Sequence, residues 1–177
     1  MTSYKSSLIR RLKFKSKEVS LELKQVKEIY SKAVSGFCDA VSVYCLSKKI
    51  KNPLEELGQK KEEEEANEIN SDFKSLFRKI AIATHPDKTS SEKDRNKLEE
   101  AVEAKGKNKS TELIKIASDL KIKTDHLSFD SIEELELDII KSEEEICNIH
   151  NSFPWIWHYA PINKKNFIIE SFINKQV

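Results

Sequence analysis

His85, Pro86 and Asp87 stand at the abrupt exit of a basic amphipathic segment, and their types and spacing suggest chemistry. An imidazole and a carboxylate two positions apart can exchange a proton, pair with a charged partner or ligate a metal. As a catalytic pair they lack a nucleophile, a glycine-rich loop and a third orienting group, so no enzyme is expected. As a metal site they would need His126 from a separate element, without a recognised ligand spacing, so no metal and no cofactor are expected. Nucleic-acid binding is not expected either, because the basic patch is small and Glu62 to Glu65 precede it. Pro86 stiffens the loop that carries His85 and Asp87.

The element that must hold this loop is a helix. Ile69, Phe73, Leu76, Phe77 and Ile80 recur at the i, i+3, i+4 spacing of one buried face. Lys74, Arg78 and Lys79 fall away from that stripe, and the cations therefore point outward. Ile82 lies on the same side as Arg78, either as an apolar contact within the basic patch or as an exposed isoleucine of no consequence. Pro86 disfavours helical geometry at His85, so the helix is expected to end near Thr84.

This order of parts resembles the second helix and signature loop of J-domains, the co-chaperone family that acts on Hsp70 chaperones. Phe77, Arg78 and Lys79 fill the family's aromatic and two basic places, eight to six positions ahead of the His. Ile80-Ala81 matches its apolar-Ala pair, and Lys88 after the loop is also typical. The resemblance covers about residues 53 to 105 and is specific over 74 to 88. Pro53 to Gly58 resembles the short opening helix, and Leu98-Glu99-Glu100-Ala101 is the counterpart of the third. Thr84 stands where the family usually has Tyr, and the third helix lacks its Phe and its Ala-Tyr ending. No Gly/Phe-rich linker or cysteine-rich zinc region follows, as in divergent J-proteins of phages and large viruses.

The resemblance implies that the basic helix docks on an acidic surface of the Hsp70 nucleotide-binding domain. The loop would then reach the interdomain linker and trigger ATP hydrolysis, and Hsp70 would close on a client protein. The residues implied in Hsp70 binding are Lys74, Phe77, Arg78, Lys79, Ile82, His85, Pro86, Asp87 and Lys88. Asp87 would pair with an arginine of the partner and His85 would hydrogen-bond within the loop or across it. The alternative is a structural or adaptor protein that keeps the J-fold without stimulating Hsp70.

Composition sets the frame. Among 177 residues, 38% are hydrophobic and 34% charged, with three glycines and four prolines, which favours an all-α fold over a sandwich or barrel. The net charge of +1 gives no global pull toward nucleic acid or an anionic membrane. No apolar run approaches the roughly 18 residues of a spanning helix, so no membrane partner is expected. Met1 to Lys15 is basic but lacks the apolar core of a secretion signal. Cys38, Cys45 and Cys147 have neither disulfide nor zinc spacing, and a reducing cytoplasm is the default compartment.

Four segments are expected: residues 1–50 as an N-terminal heptad helix, 51–106 as the J-like part, 107–126 as an accessory helix, and 127–177 as a second heptad helix with an aromatic tail. In the first, a helix is expected from about Lys17 to Lys49, where Val19, Leu23, Val26, Tyr30, Ala33, Phe37, Ala40 and Tyr44 alternate spacings of four and three. In the last, Ile132, Leu135, Ile139, Ile146, Ile149 and Phe153 do the same, broken at Ser142. Leu98, Ala101 and Val102 form a thin stripe stopped by Gly106, and Leu113, Ile116, Ala117 and Leu120 line the accessory helix. Both heptad seams need covering, which predicts an antiparallel coiled coil within one monomer, Phe37 and Tyr44 lying near the start of the last long helix. A dimer through either seam is the competing solution. Trp155 and Trp157 are expected to plug the end of the pair.

Overall fold

The computed structural model describes residues 2–57, 70–85, 87, 92–124 and 127–176, and among them every regular element is an α-helix. The fold is all-α. Its helices are α1 (Thr2–Lys48), α2 (Leu54–Leu57), α3 (Ser71–Ala83), α4 (Glu92–Gly106), α5 (Ser110–Asp119), α6 (Phe129–His150), α7 (Phe153–Tyr159) and α8 (Ile162–Gln176). Among the described residues, no helix is long and apolar enough to cross a membrane.

Two compact units cut across the four expected segments. The first takes residues 1–22 and 65–143, the second 23–64 and 144–177. In the first unit, α3, α4 and α5 pack on one another, and its core includes Ile9 and Leu12 of α1, Phe73, Leu76 and Ile80 of α3, and Leu135 and Ile139 of α6. In the second, Phe37, Val41 and Cys45 of α1 meet Ile169, Phe172 and Ile173 of α8, with Leu54 of α2 packed alongside.

The expected antiparallel pairing is not what forms. Within the first unit, Lys5 Nζ lies 5.4 Å from the Phe129 ring centroid, and Lys15 pairs with Glu143 at 3.0 Å. Contacts that advance along both helices together mean that α1 and α6 run parallel there. In the second unit, Phe37 meets Trp157 and Phe172 edge-on, and the Tyr44 hydroxyl donates to Glu170, so α7 and α8 supply the partners that were expected from the start of α6. The reason is where the chain reverses. Residues 65–143 share a unit with the first turns of α1, so the return is complete before α6 sets out. Exposed ion pairs such as Lys15–Glu143 and Lys17–Asp119 contribute little to stability and are better read as markers of register.

The seam residues of α1 are buried or half-buried as the heptad requires, and the helix begins some fifteen residues earlier than expected, at Thr2. Ser16 and Ser20 fill seam positions there. Ser16 is fully buried and donates its hydroxyl to Thr111 O at 2.9 Å, so a polar atom sits inside without loss. In α4 the stripe runs through Ala101 and Ala104, whereas Val102 is 55% exposed, one residue out of phase with the buried face.

Three helices end in the same six-residue closure, each with a residue other than glycine at the left-handed position. After α1, Lys49 has φ 56° and Ile50 N–H donates to Cys45 O at 3.0 Å. After α4, Asn108 has φ 51° and Lys109 N–H donates to Ala104 O at 2.9 Å, so Asn108, and not the expected Gly106, carries the left-handed turn. After α5, Lys121 has φ 56° and Ile122 N–H donates to Ala117 O at 2.8 Å. These closures satisfy carbonyls a helix end would otherwise leave open. A side chain in left-handed geometry costs about 1 kcal/mol relative to glycine. Lys121→Gly is therefore expected to raise stability by about 1 kcal/mol in a denaturant titration, since the exposed Lys121 side chain packs against little.

Candidate functional site

The site is built from α3, held at its start and free at its end. Asn70 caps the helix by accepting from Asp72 N–H at 3.0 Å. Asp72 in turn accepts from Ser128 N–H at 2.7 Å and from the Ser131 hydroxyl at 2.8 Å, so one carboxylate ties the start of α3 to the start of α6. Phe73, Leu76 and Ile80 are fully buried at i, i+3 and i+7. Arg78, Lys79 and Ile82 face solvent, with Ile82 56% exposed, while Lys74 and Phe77 are half-buried. The expected split between stripe and cations therefore holds for Phe73, Leu76 and Ile80 against Arg78 and Lys79, with Lys74 and Phe77 at the border; Ile69 lies outside the described residues.

Thr84 closes the helix. Its N–H and its hydroxyl both donate to Ile80 O, at 3.0 and 2.9 Å, and it is fully buried. His85 and Asp87 then emerge into solvent, their side chains 54% and 85% exposed. Asp87 N–H donates to His85 Nδ1 at 3.2 Å, and the Asp87 carboxylate lies 3.5 Å from the same nitrogen. Nδ1 therefore acts as the acceptor that closes the turn. Pro86 and Lys88, named from the sequence, lie outside the described residues, as do His126 and Glu62 to Glu65.

Known protein families, curated proteins and solved structures were all compared with the chain. None matches.

Lys105 was not named from the sequence. It projects from α4 with Nζ 4.6 Å from the centroid of the Phe77 ring, adding a cation beside α3. Its only sequence signal is its place in the last turn of the helix that follows the loop. The two aspartates that fasten the unit were missed as well. Asp138 of α6 accepts from the Ser110 hydroxyl, Thr111 N–H and the Thr111 hydroxyl at 3.0, 3.0 and 3.2 Å. It caps α5 from another helix, because Lys109 at the cap position offers no side-chain acceptor.

Burial pushes the Cys45 thiol up, which makes it a packing residue and a poor nucleophile. Among the described residues, no group of three His, Cys, Asp or Glu side chains is placed to hold a metal.

Glu134 sits beside the cap of α3. Burial, and then the charge of Asp138, push its carboxyl up, opposed by a hydrogen bond from Asn70. A raised carboxyl pKa means that the folded chain holds this proton more tightly than the unfolded chain. The corresponding stability is complete below the ordinary glutamate range of about 4.3 and is lost as pH rises through the raised value. Glu134→Gln is expected to stabilise the protein at neutral pH and to make no difference at pH well below that range, measured as melting temperature across the titration.

Proposed function

We propose that this protein is a J-domain-type co-chaperone that binds an Hsp70 chaperone and accelerates its ATP hydrolysis through His85, Pro86 and Asp87. The observation that carries the reading is the pairing of an outward basic face, Arg78 and Lys79 with Lys74 at its edge, with a loop whose exposed Asp87 is held by His85 at the end of the same helix. Cations on a helix face steer encounter with an acidic partner. A carboxylate held beyond them then makes one directional, charge-assisted contact with a partner arginine. The packing of α3 against α4 supports a helical hairpin around the loop.

One observation favours the adaptor reading instead. Leu54 of α2, the counterpart of the opening J helix, packs on the Phe37–Phe172 cluster of the second unit, whereas α3 and α4 belong to the first. The deciding experiment is single-turnover ATP hydrolysis by an Hsp70 with the full chain added. Concentration-dependent acceleration is expected. Binding to Hsp70 with no change in hydrolysis would leave an adaptor.

Recognition has its own test. Replacing Lys74, Arg78 and Lys79 with Ala is expected to slow association with Hsp70 about tenfold at low salt, and to flatten the dependence of the rate on salt. A salt slope equal to that of the parent protein would make this face a solvated surface and no more.

A further inference from the structure

The first turns of α1 carry a second basic surface, unrelated to the loop at 85–87. Residues 5–17 contain Lys5, Arg10, Arg11, Lys13, Lys15 and Lys17 with no acid among them, and the run ends at Glu18. This stretch is a fixed helix within the first unit. Ile9, Leu12 and Ser16 are buried on its inner side, so the outer side chains project in set directions. At about 100° per residue, Phe14 and Ser7 point directly away from that buried stripe, Arg10 flanks them on one side, and Arg11 and Tyr4 flank them on the other. Phe14 is 71% and Tyr4 72% exposed, and both arginines face solvent. Lys15 and Lys17 are engaged by Glu143 and Asp119. Among the described residues, Arg10 and Arg11 have no ion-pair partner.

We propose that this face is a peripheral docking surface for an anionic lipid bilayer. Charge complementarity calls for a partner rich in phosphate or carboxylate, and the order of side chains selects the bilayer. A duplex backbone is neutralised by cations alone, and a ring standing outermost gains nothing against it. Here an aromatic ring is outermost and the cations stand to either side, the arrangement in which a ring enters the headgroup boundary while guanidinium groups reach anionic headgroups. A surface contact of this kind needs no spanning helix, and the buried seam of α1 stays within the protein.

The test is co-sedimentation of the full chain with vesicles of phosphatidylcholine alone or with about 30% phosphatidylserine, a content that supplies the negative surface potential. Binding is expected only to the anionic vesicles and is expected to weaken as salt rises. Arg10→Gln/Arg11→Gln should lower affinity about thirtyfold, each basic residue at such a surface being worth about fivefold. Phe14→Ser should lower it about tenfold on either salt background. All three positions are exposed, so unchanged far-UV circular dichroism is expected and certifies the fold. Equal binding to neutral vesicles, or vesicle binding indifferent to both variants, would overturn the proposal. So would a protein that ignores vesicles but binds a thymidine homopolymer or a DNA duplex through the two arginines and regardless of Phe14.

Discussion

Asp87→Asn is expected to reduce the acceleration of Hsp70 ATP hydrolysis to background, by about thirtyfold or more, with no change in helicity. The substitution keeps the shape of the side chain and removes its charge. The Asp87 carboxylate is 85% exposed and is not part of the core, while its backbone N–H, which Asn retains, makes the bond to His85 Nδ1. Folding should therefore be untouched while the contact to a partner arginine is lost, and the guanidinium left without its counter-charge accounts for much of the penalty. His85→Gln should act in the same direction for a different reason: it removes the ring nitrogen that closes the turn, and Asp87 is no longer held. Single-turnover hydrolysis measured beside circular dichroism separates the two effects. Variants that stimulate as well as the parent would show that the loop is not the trigger, and the adaptor reading would then stand.

Phe37→Ala carries the largest expected cost in stability, about 3 to 5 kcal/mol. Phe37 is 1% exposed at the centre of the second unit, edge-on to Trp157 at 5.8 Å and to Phe172 at 5.2 Å between centroids. Truncation removes the burial of the ring and both aromatic contacts, and leaves a cavity between α1, α7 and α8 that rigid helices fill poorly. Trp157 has little room to follow: a Cβ added at Gly36 would meet its ring at 3.5 Å, so the indole already lies against the α1 backbone. Both tryptophans belong to the second unit, which makes their fluorescence a reporter of that unit alone. The expected observation is a red-shifted emission and an earlier transition in denaturant. A change below 1 kcal/mol would mean that the cluster repacks freely.

The sequence was most legible where apolar residues repeat. Val19 to Tyr44 and Ile132 to Phe153 turn inward because a heptad states which side of a helix avoids water, and this holds whatever covers it. A heptad does not state the direction of the covering helix. Parallel and antiparallel neighbours make the same demand on a seam, and for that reason the expected pairing of α1 with α6 had the wrong sense. The early turns of α1 were hidden by Ser16 and Ser20, polar residues at seam positions whose burial depends on partners such as Thr111 O, 95 residues away. Asp72 and Asp138 were illegible for the same reason. A charged residue on a helix is ordinarily solvated, and only the fold reveals that each accepts from a helix start elsewhere. The two tryptophans divided: Trp157 joins the core cluster, while Trp155 stacks between His150 and Tyr159 outside it. Within the candidate site, the basic face and the exit of the helix followed from periodicity and from Pro86, whereas the buried hydroxyl of Thr84 and the cation of Lys105 did not.

The union of residues 1–22 with 65–143 has a consequence for how the protein is made. Ser16, Lys17 and Lys15 find their partners at Thr111, Asp119 and Glu143. Until those residues leave the ribosome, Ile9, Leu12 and Val19 have no surface to close against. At bacterial or eukaryotic translation speeds that interval is on the order of 10 s. The nascent chain thus carries an uncovered greasy stripe until the partner residues emerge, and it should be held meanwhile by whatever chaperone meets emerging chains first.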